Sequence, residues 1–131
     1  MVAPPQTRYA TTVTAVGEQV AEFVSHGLLI WFAEGAPEEL HFFSVLHRPT
    51  VTDGGVRPGD TVRIDDQAYR VTAVGDVANE NMVHLGHLDL KTNGDTEAPL
   101  PGDICLEQLP LRAPRAGTTL VIEGEAAQAA P

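Results

Sequence analysis

The sequence predicts a mainly β protein, a small closed or nearly closed antiparallel β-barrel carrying two short helices. Three observations point there. Seven or eight short segments, mostly β-branched or alternating, recur along the chain, set off by glycine, proline, asparagine or aspartate turns. Only two stretches space apolar residues as a helix does, and both stop at a glycine. The regular alternation of strand and long helix that a βαβ sheet needs is absent. A chain of 131 residues supports one core and buries about two thirds of its unfolded surface. The expected organisation is a flexible lead over residues 1–8, one domain over 9–124 and a disordered tail over 125–131.

The first strand is expected over Tyr9 to Val16, YATTVTAV, closed by Gly17. Val20, Phe23 and Val24 then recur at helical spacing and stop at Gly27, a helix of about two turns with a glycine cap. Leu28 to Ala33, LLIWFA, reads as the next strand. Gly35-Ala36-Pro37 breaks it, and Pro37 at a first helical position, with Glu38 and Glu39 behind it, starts a short turn favoured by the helix dipole. From His41 an extended segment would place His41, Phe43, Val45 and His47 on one face, with His47 at the strand end before Arg48-Pro49.

Turns built on Arg57-Pro58-Gly59-Asp60, Leu100-Pro101-Gly102-Asp103 and Arg115-Ala116-Gly117-Thr118 launch strands over Thr61 to Ile64, Ile104 to Glu107 and Thr119 to Glu123. Between them Tyr69 to Val74 is another strand. Its VTAVG, Val71 to Gly75, repeats Val13 to Gly17 letter for letter, through duplication or through two uses of one strand-to-turn solution. Asp76 to Leu85 reads as the second helix, with Asp76 as N-cap and Gly86 as C-cap. In the strand that follows, His87 to Lys91, Leu88 and Leu90 share the inward face.

Composition removes several functions. Eighteen acidic against eight basic residues give a net charge of −10, which repels phosphate backbones and anionic membranes and favours a basic protein surface as partner. Neither nucleic acid nor direct membrane insertion is expected, since no apolar run nears the roughly 20 residues of a membrane helix. The N-terminal MVAPPQTRYA lacks a charged region followed by an apolar one, so the chain is expected in the cytoplasm, in keeping with a lone cysteine, Cys105, read as a buried packing residue.

No phosphate-binding loop, dinucleotide fingerprint, nucleophile elbow, paired-cysteine motif or zinc-protease motif occurs. No cofactor is expected. Five histidines remain: His26, His41, His47, His84 and His87. His41 and His47 lie about 20 Å apart on a straight strand, too far to share a metal ion. His47 with His84 or His87 stays open as a metal pair. A neutral imidazole is also a good nucleophile near neutral pH and can carry a phosphoryl group, given an anchor for its second nitrogen and donors for the phosphoryl oxygens. From the residues alone, His47 is either such a nucleophile or an ordinary strand-end histidine.

Four segments carry a resemblance: TTVTAVG, LLIWFAEGAPEEL with a strand ending in His47, YRVTAVGDVANENMVHLGHLDLKTNG, and PGDICLE. In order and spacing they are similar to the glucitol/sorbitol-specific enzyme IIA component of the bacterial phosphoenolpyruvate:sugar phosphotransferase system. The resemblance covers roughly Tyr9 to Gly124. It implies a small β-barrel phosphocarrier whose phosphoryl acceptor is His47. It also implies two partners: the histidine carrier HPr as donor, and the cysteine of a IIB domain as acceptor. His87 is then a candidate orienting or phosphate-contacting residue. Some relatives have a second histidine just after the active one, where this chain has Arg48-Pro49; Arg48 is a candidate phosphate contact or a surface charge. A homo-oligomer is a candidate assembly, and the alternative role is a non-catalytic barrel that binds or regulates partners.

Overall fold

The turn-punctuated strands close on themselves. The computed structural model describes residues 5–125. Its elements in chain order are β1 (Gln6–Val16), α1 (Val20–Ser25), β2 (Leu28–Ala33), the 3-10 helix α2 (Glu38–Phe43), β3 (Val45–Thr52), β4 (Thr61–Ile64), β5 (Gln67–Val74), α3 (Ala78–Leu85), β6 (Leu88–Lys91), β7 (Asp103–Leu106) and β8 (Thr119–Gly124). The eight strands form a closed barrel in the order β1-β3-β2-β6-β7-β5-β4-β8. Inward positions fill its interior: Tyr9 and Val13 from β1, Leu29 and Trp31 from β2, Val62, Tyr69, Leu88, Leu90, Ile104, Leu106, Leu120 and Ile122 are all buried in one cluster. At roughly 1.5–3 kcal/mol for each large apolar side chain, this cluster is the main favourable term in folding.

The barrel is mixed rather than antiparallel. β2 pairs with β3, and β6 with β7, in parallel, while all other pairs are antiparallel. The physical reason lies in the connections. Only the two-residue hairpin Asp65-Asp66 joins β4 to β5 tightly, with Asp65 in the left-handed region at φ 51. Residues 34–44 and 92–102 instead cross over, returning the chain to the end from which it left.

Other boundaries move too. β1 begins at Gln6, so Gln6 to Arg8 belong to a strand and not to a flexible lead, while residues 1–4 and 126–131 lie outside the described residues. Pro37 sits one place before the first helical residue, at ψ 141. The 3-10 turn then runs on through Phe43, taking His41, Phe42 and Phe43 out of the expected strand; only Val45 and His47 share the inward face. His47 is the third residue of β3, not its end, because the strand continues through Pro49 to Thr52. Beyond His47, β3 is paired with β1 alone, so a proline without an N–H is tolerated there. Asp76 does not cap α3: Val77 holds that position and no side-chain cap bond forms. Gly86, at φ 60, closes the helix as expected.

The repeated VTAVG marks a symmetry of the whole barrel. Exchanging β1–β4 with β5–β8 leaves the cyclic strand order unchanged. Both copies carry a register shift at the same place, between Val13 and Ala15 and between Val71 and Ala73. Gly17 and Gly75 occupy equivalent close approaches, where a Cβ would lie 2.2 Å from the His41 carbonyl oxygen and 2.1 Å from that of Pro101. In this correspondence Val13 faces His47 as Val71 faces Leu106.

Candidate functional site

His47 takes the inward position that Leu106 takes in the other half, and it is fully buried. Two hydrogen bonds make a polar ring tolerable there. Its Nδ1 lies 2.5 Å from the Thr11 hydroxyl, on the neighbouring strand β1, and its Nε2 lies 2.6 Å from the carbonyl oxygen of Gly86, at the end of α3. Trp31 meets the ring edge-on, with centroids 5.6 Å apart. A carbonyl oxygen only accepts, so Nε2 carries the hydrogen and donates it to Gly86; Nδ1 then accepts from the Thr11 hydroxyl. Burial holds the ring below histidine's ordinary range, against weaker opposing pulls from the Gly86 carbonyl and the Glu34 charge. His47 is therefore neutral near pH 7.

The two nitrogens face different parts of the fold. Nδ1 points at Thr11, itself buried among strands. Nε2 points at a turn in which buried Gly86 stands between Leu85, 52% exposed, and partly exposed His87. That turn is held tightly. A Cβ on Gly86 would lie 2.8 Å from the Ala33 nitrogen, and the Gly86 N–H donates to the Met82 carbonyl at 3.1 Å.

His87 does not reach His47. Its ring stacks on Phe32 with centroids 4.2 Å apart and its Nε2 hydrogen bonds Asp89 at 3.1 Å, so it braces the turn that covers His47. Arg48, the next residue along β3, faces outward. Its Nε and a terminal nitrogen donate to the two Glu34 carboxylate oxygens at 2.7 and 3.1 Å, which holds the Glu34 carboxyl below its usual range. Glu34 is tied to the same strand by its N–H, 2.9 Å from the His47 carbonyl oxygen. A surface cleft of about 440 Å³ lies beside β3, lined by Val16, Glu38, His41, Phe42 and Leu46 but not by His47.

The structure does not assemble the metal pair left open by the sequence: both His47 nitrogens are bonded elsewhere, and no group of three or more metal-ligating side chains occurs among the described residues. His41 bonds the Ala36 carbonyl oxygen at 2.8 Å within its own turn. Cys105 is buried, and burial pushes its thiol up, as a packing residue requires. Thr11 and Gly86 are the site residues that sequence reasoning missed. A signal was present for Thr11, a hydroxyl between Tyr9 and Val13 on an otherwise apolar strand face. Gly86 was legible as a helix cap, but nothing local showed where its carbonyl points.

Residues 8–121 match the family model described as the PTS system glucitol/sorbitol-specific IIA component. The glucitol/sorbitol-specific EIIA components of Escherichia coli K12 and Shigella flexneri are each 38% identical over 96 residues, covering 73% of this chain and 78% of theirs. The crystal structure of a PTS system IIA component from Enterococcus faecalis V583 superposes with a TM-score of 0.69 at 29% identity, over 85% of this chain and 96% of that one. The match takes in β2 to β7 whole and most of β1, and includes Thr11, His47 and the turn at Gly86. The chain thus belongs to the glucitol/sorbitol-specific IIA component family of the sugar phosphotransferase system.

Proposed function

We propose that the protein is a phosphocarrier in which His47 accepts a phosphoryl group from phospho-HPr through Nε2 and passes it to the cysteine of a IIB domain. The observation that carries this reading is a neutral imidazole anchored through Nδ1 inside the barrel, with Nε2 directed toward a surface turn. In the forward step the donor's N–P bond breaks while a bond forms from His47 Nε2 to phosphorus. The hydrogen on Nε2 first moves to Nδ1 by tautomerisation, and the donor imidazole leaves neutral with its lone pair restored, so no net proton is gained or lost. Positioning and electrostatics do most of the work in such a transfer.

As described, Nε2 is covered by Gly86, so transfer requires that turn to swing aside. His87 is proposed to orient His47 indirectly, through its stack on Phe32 and its hydrogen bond to Asp89. Arg48 is proposed to fix Glu34 on the outer face, with phosphate contact limited to a state in which that pair is broken. The family's place in the sugar phosphotransferase system supports a carrier working in the cytoplasm.

A second reading has one observation in its favour: full burial of His47 with both nitrogens bonded suits a barrel that binds or regulates partners without carrying phosphate. Labelling separates the two. With phosphoenolpyruvate, enzyme I and HPr, the wild type is expected to take up phosphate and His47→Ala to take up none while keeping its β spectrum. Label retained in that variant excludes His47 as the acceptor, and absence of label in the wild type favours the second reading.

A further inference from the structure

Thr11 and Gly86 hold opposite sides of one ring but are not chemically alike. The Gly86 carbonyl can only accept, so while it is in place the hydrogen stays on Nε2 and the free pair stays on Nδ1. A ring in that tautomer has no lone pair on Nε2 with which to attack phosphorus. The Thr11 hydroxyl both donates and accepts. It donates to Nδ1 in the closed state and, by rotating its own hydrogen away, accepts from Nδ1–H once Nε2 is released.

We propose that Thr11 is a positioning residue that serves both tautomers of His47, so that removing the Gly86 carbonyl converts a capped, unreactive ring into one poised to attack through Nε2. The inference rests on the phosphocarrier reading above. Its geometry is independent of that reading: the Thr11 oxygen is 2.5 Å from Nδ1, Thr11 is 1% exposed, and β1 and β3 are paired on either side of it. In the closed state water therefore does not take the place of the hydroxyl at Nδ1. In the open state an acceptor at Nδ1 fixes the attacking tautomer, and it stabilises the positive charge that grows on the ring as the N–P bond forms. When the turn opens, solvent reaching the ring takes the proton from Nε2 and returns one to Nδ1, so the change is a tautomerisation and balances.

The test pairs nitrogen NMR with phosphotransfer. In uniformly ¹⁵N-labelled wild type, His47 is expected to show a protonated Nε2 and a hydrogen-bonded, unprotonated Nδ1. Thr11→Val keeps the shape of the side chain and deletes the hydroxyl; it is expected to shift the Nδ1 resonance and to slow labelling from phospho-HPr about 10- to 100-fold, the usual loss when the partner that orients a functional imidazole is removed. Thr11→Ser restores the hydroxyl, and both the resonance and the rate are expected to return. A Thr11→Val protein labelled at the wild-type rate, or a Thr11→Ser protein as slow as Thr11→Val, overturns the proposal. His47→Ala is run alongside. Label lost there but unaffected in Thr11→Val sinks Thr11 alone, whereas label retained there sinks the phosphocarrier reading and the inference with it.

Discussion

Lowering the pH should destabilise this barrel through His47 in a way that a single substitution abolishes. Folding buries the ring in its neutral form, and burial, the largest influence on it, depresses its affinity for protons. The unfolded chain restores a histidine that titrates near 6.5. Above that pH neither state binds the proton and the linkage contributes nothing. Below it the unfolded state binds more protons than the folded one, so stability falls as pH falls, until the folded ring also protonates. If the folded ring stays neutral throughout, the loss reaches about 1.4 kcal/mol at pH 5.5 and about 2 kcal/mol at pH 5.0, which are ceilings. Urea unfolding of the wild type and of His47→Gln at pH 7.5 and 5.5 isolates the contribution, because everything else that titrates is common to both. Glutamine has no proton to gain and keeps a donor for the Gly86 carbonyl. The wild type is expected to lose more stability across this interval than the variant. Equal losses refute the reasoning, and would mean either that His47 is protonated in the fold or that the ring is solvated.

Two further substitutions probe the parts that hold the site. Gly86→Ala asks a side chain to adopt φ 60 and sets its Cβ 2.8 Å from the Ala33 nitrogen; backbone strain and overpacking together predict a loss of about 2–4 kcal/mol in urea unfolding, and a loss below about 1 kcal/mol contradicts the packing at this turn. Arg8→Met breaks the buried ion pair between Arg8 and Asp60, leaving the carboxylate without its counter-charge. A loss of about 3–5 kcal/mol is expected at pH 7, with a smaller one when Asp60 is replaced by asparagine in the same background; a loss within the error of the measurement excludes the pair as a structural tie.

Much of the barrel was legible because its signals are local. Leu88 and Leu90 alternate with Asp89 and Lys91, and the strand faces follow. Gly27 and Gly86 stop their helices at positive φ because a side chain is costly there. What failed depends on partners remote in sequence. His41, Phe42 and Phe43 suit a strand, yet the approach of Gly17 to the backbone of that segment and the N–H of Gln19 on the Phe42 carbonyl at 2.9 Å hold it as a 3-10 turn. The parallel pairings were hidden for the same reason, since the sequence records the length of a crossover and not its direction. At the site, the residue type and place of His47 were visible, but the meeting of β1, β3 and the end of α3 around one ring was not. The role proposed for His47 rests on the family resemblance, because local chemistry left it open.

The exchange symmetry of the strands has a consequence for how the chain is tied together. β4 lies between β5 and β8, both from the second half, and β8 lies between β4 and β1, both from the first. Each half thus lends its last strand to the other, as two hands clasp. Neither half can close its own wall, so the unit of cooperativity is the entire barrel, and the hairpin Asp65-Asp66 is a tether between two interlocked copies rather than a hinge between modules. Two separate half-length chains with these pairings would close the same barrel as a homodimer. The two halves differ at one matched place: one has leucine at the inward position of its third strand, and the other has histidine there.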